Sequence, residues 1–262
     1  MGEGQRSPLI RNRMLLCLAA RQPDVSTGLR DALIAEAQEA VGRITSDDAA
    51  FRVSIAVPRT PAPSAPTQYD RVLDVGLSNG VMLGGISVVL EISAPESASL
   101  DELAQSVKGI ASRLGDRIVA DRSKAIVGTD VVILDGGGEF QLVYCMPRSS
   151  GVSHEDFCRF WAEEHTKVSV FTPGLAGYRQ LHTSLPHSQA AAIAAGVAVT
   201  EIDGVALEWF ATVDDFTSAV GAPAEFRESA KSSEEQFNNL NGVSAILTSV
   251  IDCGRDTCTA PW

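Results

Sequence analysis

The sequence predicts an α+β chain in which one β-α-β-β-α-β pattern is written twice and the two copies pack as an internal pseudo-dimer. Three observations carry this. Short apolar strand-like runs and amphipathic helical stretches follow one another in the same order in both halves. Gly136-Gly137-Gly138 stands between the copies with no helix after it, which reads as a linker. A single plait of this kind also leaves one sheet face bare, and a second copy in the same chain can cover it. The copies span residues 13–135 and 139–252.

In the first copy, Met14 to Ala20 is a strand that stops before Arg21-Gln22-Pro23. Ser26 or Thr27 can cap the helix that follows. Leu29, Leu33, Ala37 and Val41 recur along it at helical spacing. Phe51 to Val57 is a strand closed by Pro58. A Pro- and Ala-rich loop runs from Thr60 to Thr67. Ile86 to Ile92 is β-branched and apolar, hence a buried strand. Ser99 and Glu102 form a capping box, and Leu103, Val107, Ile110 and Leu114 give the next helix its apolar stripe. Ala125 to Leu134 is the last strand.

The second copy repeats this order. Glu139 to Met146 is a strand. Ser153 caps a helix that starts at His154, and Phe157, Phe160, Trp161, Val168 and Phe171 supply its stripe. Pro173-Gly174 ends it. Strands follow at Tyr178 to Thr183, closed by Pro186, and at Val205 to Thr212. Phe216 to Phe237 is helical, with a break near Pro223. Val243 to Ile251 is the last strand. Each copy is a split β-α-β plait of the ferredoxin-like kind. Two such sheets facing each other predict a cavity between them, with the helices outside.

Composition narrows the function. Of 262 residues, 45% are hydrophobic and 21% charged, as in a globular protein. The formal net charge of -12 argues against a nucleic-acid partner, which needs a basic stripe. Runs such as Ile86 to Leu90 are too short to span a bilayer. The first residues lack the apolar core of a signal peptide, so a cytoplasmic protein is expected. Five cysteines and four histidines with no C-x-x-C show no metal-ligand spacing, and Cys253 and Cys258, though near in sequence, are expected as free thiols. With no G-x-G-x-x-G and no P-loop, no nucleotide cofactor is signalled. The expectation is chemistry without a cofactor or metal.

The halves differ where chemistry would sit. Aligned on their own landmarks, Phe51-Arg52-Val53-Ser54-Ile55 lies opposite Tyr178-Arg179-Gln180-Leu181-His182. Side chains alternate along a strand, so Tyr178, Gln180 and His182 share one face, and the first half offers Phe51, Val53 and Ile55 there. The same offset sets Gln38 opposite His165. The first half reads as a structural partner and the second as the working one.

His165 shares a helix face with Phe157 and Trp161. It titrates near neutral pH and can serve as an acid or a base, or it is a satisfied core residue. Tyr178 can donate to a substrate oxygen or be an ordinary amphipathic strand residue. His182, on the Tyr178 face, is a second proton carrier or a strand-end surface residue. Glu208, between Leu207 and Trp209, orients a histidine or faces solvent. Cys158 reads as a packing thiol, and His154 and His187 as a helix-start and a loop residue. Glu225, Glu228, Glu234 and Glu235 read as a solvated helix face. Two long connections, Gln68 to Gly84 with Tyr69 and Arg71, and Pro186 to Asp203, are expected at the cavity mouth.

Phe157-x3-Trp161-x3-His165-x2-Val168, then Pro173-Gly174, Tyr178 and Gly204-x3-Glu208-Trp209-Phe210, resemble the EthD family of the dimeric α/β-barrel superfamily. The resemblance runs from about Gln141 to Asp252. The first half lacks the histidine, the tryptophan and the tyrosine. Ordinary members of that family are single plaits that pair, so the duplication would supply the dimer internally, with a further homodimer possible. The resemblance implies a cofactor-independent lyase, a decarboxylase or a cyclase, acting on a small aromatic or polyketide-like substrate. His165 would protonate a ring carbon, and Tyr178 or His182 would steady the phenol or carboxylate. Trp161, Gln180, Glu208 and Trp209 would contact the substrate. Two alternatives remain open: a non-catalytic accessory protein that only holds a ligand, and a haem protein with His165 or His182 as axial ligand.

Overall fold

The computed structural model describes residues 10–22, 27–56, 81–82 and 86–254. The first half contains β1 (Ile10–Leu18), α1 (Thr27–Gly42), β2 (Ala50–Ala56), β3 (Val81–Met82) and β4 (Val88–Pro95). It continues with α2 (Leu100–Ser106), α3 (Ile110–Leu114) and β5 (Lys124–Leu134). The second half opens with β6 (Phe140–Met146), α4 (His154–Phe160), a π-helical turn (Trp161–His165) and α5 (Thr166–Ser169). β7 (Leu175–Thr183), α6 (Leu185–Ala195), β8 (Gly204–Phe210), α7 (Val213–Val220), α8 (Ala224–Glu234) and β9 (Ser244–Gly254) complete it. Ser26, Val57, Pro58, the Thr60–Thr67 loop, Tyr69, Arg71 and Cys258 lie outside the described residues.

Eight strands run in the order β2-β4-β1-β5-β7-β8-β6-β9, and β2 pairs with β9 to close the ring. Every pairing in the ring is antiparallel. β3 adds a short parallel contact to β9. Each half contributes four strands in the same internal order, and the halves meet twice, at β5–β7 and at β9–β2. Closure removes the free edges that a lone plait would expose. The result is one antiparallel barrel made by both halves, a pseudo-dimer within a single chain.

The interior of the barrel is packed, which corrects the expectation of a cavity between the sheets. Leu15, Cys17, Val143, Leu181, Leu207 and Trp209 belong to one buried cluster drawn from both halves. Beside it lies a buried charge network. Arg13 is fully buried, bonds Glu91, and reaches Asp130 at 2.6 Å through Nη2. Arg179 reaches the same Asp130 oxygen at 3.3 Å. Gln141 Nε2 donates to Glu91 at 3.1 Å. Arg52 and Arg179 both lie over the Trp209 ring, at 5.5 and 5.6 Å from its centroid. Charges this deep persist only when paired, and here the partners come from both halves.

The helices cover the outer faces. α1, α2 and α3 bury Leu29, Leu33, Leu103 and Ile110 against Met14, Leu16 and Leu90. The Ser99–Glu102 capping box and the Ser153 cap are both formed. The break near Pro223 separates α7 from α8.

Pro186 to Asp203 differs from expectation. Much of it is α6, with Pro in the first turn and Gly196 at φ 78° ending it. Ala191, Ala192 and Ala195 belong to the core of the first half, and Ser188 Oγ accepts from Val127 N at 2.9 Å. Small alanines let this helix lie close against β5, so it braces the first half and contributes nothing to the lining of the cavity described below. Cys17, Cys145 and Cys158 are free thiols as expected, whereas Cys253 is disulfide-bonded.

Candidate functional site

A cavity of about 330 Å³ opens between the outer face of the second-half sheet and its helices. That volume is at the lower end of small-molecule pockets. Tyr144, Tyr178 and Glu208 project from β6, β7 and β8 to form its floor, with Ala206 leaving room between them. Trp161 and His165 approach from the helical side, and Phe226, Arg227 and Glu234 from α8.

The π-helical turn carries both Trp161 and His165, at its two ends. One-turn π segments recur at functional sites because the extra residue re-aims side chains. Both residues are buried, Trp161 at 0% and His165 at 6% exposure. Phe171, expected on the same stripe, is 73% exposed instead, because the helix has ended before it. Trp161 and Phe157 pack onto the backbone of β8 at Gly204. A Cβ there would stand 2.6 Å from Trp161 Cζ3 and 2.8 Å from Phe157 Cε1. The glycine that opens the Gly204-x3-Glu208 pattern is thus the seat of the tryptophan.

Tyr178 is held by its neighbours. Its hydroxyl accepts from Trp161 Nε1 at 2.8 Å and from Gln180 Nε2 at 3.2 Å. Two accepted bonds leave the hydroxyl's own proton for donation. Burial and the nearby Glu208 push this phenol well above its ordinary range, so it stays protonated. Gln180 is fully buried and also donates to Trp161 O at 3.1 Å. His182 Nε2 meets Gln180 Oε1 at 3.1 Å, and its ring stacks 5.4 Å from Trp161. Tyr178, Gln180 and His182 share a face as the alternation predicts, but Gln180 and His182 stand behind Trp161 and outside the cavity lining. Trp209 points the other way, into the barrel. Its neighbour Glu208 takes the cavity face, because adjacent strand residues cannot share one.

His165 Nδ1 lies 3.1 Å from Ser233 Oγ, and Nε2 lies 3.9 Å from Glu234 Oε1. Burial depresses its pKa to about 4, so the ring is neutral at pH 7. Burial likewise brings His182 to about 4, helped by His154. Both nitrogens of His165 face polar neighbours, an arrangement unlike the open ligating nitrogen that an axial role requires. Gln38, set opposite His165 by the sequence alignment, is exposed on α1, whereas His165 is buried.

The carboxylates are the unexpected members. Burial raises Glu208 to about 7, and the Glu234 charge adds to the effect. Burial also raises Glu234 to about 7, partly opposed by hydrogen bonds from Tyr144 and Asn238. Tyr144 donates its hydroxyl to Glu234 Oε2 at 3.2 Å. Glu208 has no hydrogen-bonding partner among the described residues. Glu234 belonged to the apparent solvated face of α8, yet its side chain is only 21% exposed. Glu225 and Glu228 on the same helix are exposed. Its i+3 neighbour Phe237 is buried at 1%, and that packing turns this end of the helix inward. Two carboxyl groups raised to about 7 can each act as acid or base near neutral pH.

A second polar group lies outside this cavity. Asp203 accepts from Arg148 N at 2.9 Å and meets His154 Nδ1 at 3.1 Å. Cys158 Sγ lies 3.6 Å from His154 Nε2. Burial and the Asp203 charge push the thiol up to about 12, so it stays protonated and inert, as a packing cysteine should. Among the described residues there is no group of His, Cys, Asp and Glu placed to hold a metal ion.

Residues 149–241 match the model of the EthD domain. That stretch runs from α4 to the end of α8 and includes β7 and β8, so the similarity covers most of the elements around this cavity. No curated protein matches the sequence. Among solved structures, the chain resembles an anthrone oxidase-like protein at 8% identity, covering 94% of this chain and 93% of that one with a TM-score of 0.54. It also resembles a provisionally named monooxygenase from Fusobacterium nucleatum subsp. nucleatum at 7% identity, covering 94% and 95%, with a TM-score of 0.51. At such identities the likeness is one of fold, extending over both halves. No helix among the described residues is long and apolar enough to cross a membrane.

Proposed function

We propose that the second half is an enzyme that moves protons on a small aromatic or polyketide-like substrate, using its own side chains, with lyase chemistry as the outcome. The observation that carries this reading is Glu208, an unpartnered carboxyl with a pKa near 7 on the floor of an aromatic-lined cavity, beside a second carboxyl, Glu234. A group held this way is poorly placed for stability and well placed for proton transfer.

In a decarboxylation, the protonated member of the pair gives its proton to the ring carbon that bears the carboxylate. The carbon–carbon bond then breaks, its electron pair returns to the ring, and carbon dioxide leaves. Tyr178 donates its hydroxyl proton in a hydrogen bond to the phenolic or carbonyl oxygen and steadies the charge that develops there. In an aldol cyclisation, the ionised member removes the α-proton, the enolate carbon attacks the ketone carbon as the carbonyl π pair moves to oxygen, and the protonated member gives its proton to that alkoxide. Water leaves when a carboxylate takes the second α-proton and a carboxylic acid protonates the hydroxyl. The cyclisation needs one carboxyl in each state, a condition best met near pH 7, and the decarboxylation needs only the protonated one. His165, neutral at that pH, positions α8 through Ser233 and Glu234, so the role of acid first given to it passes to the carboxyls.

Glu208→Gln should lower turnover about 10²–10⁴-fold, the span typical of a lost general acid or base. The readout is mass spectrometry of a panel of phenolic acids, lactones and polyketide-like aromatics incubated with each protein. A product lighter by carbon dioxide or water, formed only by the parent, identifies the reaction. A ligand that binds both proteins and returns unchanged would replace this reading with that of an accessory protein.

A further inference from the structure

The cavity is polar at both ends, and the ends differ in sign. Its inner end is acidic, with Glu208 on the floor and Glu234 reaching in from the last turn of α8, and the exposed rim on the earlier turns of that helix is basic. Arg227 and Lys231 stand one helical turn apart on α8, and both line the cavity. Both are exposed. Lys231 is loosely tied to Glu235 at 3.8 Å. The Arg227 side chain has no ion pair or hydrogen bond among the described residues. In a chain of formal net charge -12, an arginine without a carboxylate at the mouth of an acidic pocket is conspicuous. Between the two ends the walls are apolar, from Phe216, Val220, Phe226 and Leu240. An occupant must therefore offer an anion to the rim, an apolar body to the walls, and an uncharged proton-bearing group to the floor. An anion cannot take the opposite orientation, because it would meet Glu208 and Glu234.

We propose that this cavity binds an aromatic anion lengthwise, with a carboxylate or similar anionic group on Arg227 and Lys231 at the rim and a phenol or ketone against Glu208 and Tyr178 on the floor. This deepens the enzymatic reading and rests on it only for turnover. The binding claim stands on charge and shape alone. It also sets the direction of the reaction. The anion at the rim stays in water as an anchor and the reacting atoms lie at the floor, so of the two routes above this orientation selects the cyclisation over the decarboxylation, which needs its carboxylate at the floor.

The test is calorimetric titration of the whole chain with hydroxynaphthoate, naphthoate and naphthol, which carry both groups, only the anion and only the hydroxyl. Hydroxynaphthoate should bind most tightly. Arg227→Gln should weaken hydroxynaphthoate and naphthoate about tenfold, the effect of losing one charge-assisted hydrogen bond at an exposed site. It should leave naphthol unchanged, and Arg227→Lys should recover part of the loss. Binding of the anions by the parent should also weaken as salt rises. Equal losses for all three probes, or naphthol binding as tightly as hydroxynaphthoate, would overturn the proposal, as would no binding by any probe. The two readings fail separately. Anion-dependent binding with no turnover of any panel compound leaves this inference standing and removes the enzyme. Turnover that is lost in Glu208→Gln and unchanged in Arg227→Gln does the reverse.

Discussion

The same place in the barrel is filled in one half and chemical in the other. In the first half, Ile92 on β4 pairs with Phe51 on β2 and Met14 on β1. In the second, Glu208 on β8 pairs with Tyr178 on β7 and Leu142 on β6. Two residues back, Leu90 stands between Val53 and Leu16, where Ala206 stands between Gln180 and Tyr144. On the helices, Leu33 and Ala37 of α1 are packed into the apolar core of the first half, whereas Trp161 and His165 line the cavity of the second. One backbone thus supports two outcomes. The leucines and isoleucine close the first half into solid core. Alanine at position 206 empties a volume in the second half, and the glutamate and tyrosines make that volume polar.

The comparison can be broken from either side. Ile92→Glu should give the largest effect. It places an unpaired carboxyl in a closed core that has no cavity to hydrate it, and should cost about 3–5 kcal/mol in denaturant unfolding. A stable Ile92→Glu protein would mean that the halves are less different than their packing indicates. Ala206→Leu gives the second half the leucine of the first. It should fill the cavity and lower ligand affinity about tenfold or more, with a change in stability below about 3 kcal/mol. Retained affinity would place the ligand elsewhere.

Gly204→Ala tests the seat of Trp161. The added methyl meets two aromatic rings that cannot move away, so a loss of about 1–3 kcal/mol is expected, with altered tryptophan fluorescence. The smallest effect concerns pH. Glu208 has a folded pKa raised from the ordinary value to about 7. Its favourable contribution is complete at low pH and is lost as pH rises through 7. Glu208→Gln should therefore stabilise the protein more at pH 8 than at pH 5, by about 1–2 kcal/mol in thermal unfolding. His165 and His182 act with the opposite sign. Their folded pKa values are depressed to about 4, so their contribution is lost as pH falls from about 6.5 toward 4. An equal effect of Glu208→Gln at both pH values would show that the carboxyl is not held protonated.

Much of the site was legible because strand alternation is a local rule. It put Tyr178, Gln180 and His182 on one face and Leu181 on the other, and it distinguished the apolar face of the first half from the polar face of the second. It could not tell which members of a face reach a cavity. His182 and Gln180 are screened by Trp161, and that depends on how the π-helical turn seats on Gly204. Glu234 was misread because a glutamate among glutamates on a polar helix carries no sign of burial. Only the packing of Phe237 beneath that helix turns its last turn inward. The alanine-rich stretch after Pro186 lacked the large apolar stripe of a core helix, and its alanines were needed for close contact with the other half.

The sequence by itself determined the repeat, the strand and helix order, the caps at Ser99 and Ser153, and which half would present a polar strand face. These follow from periodicity and residue type, which act over a few neighbours. Tertiary structure alone decided that the two sheets close into one barrel with a packed, ion-paired interior. It also decided that the cavity lies beneath the helices of the second half, and that two glutamates reach neutral pKa values there. Closure, cavities and pKa shifts depend on groups brought together from distant parts of the chain. No local pattern records the desolvation that results.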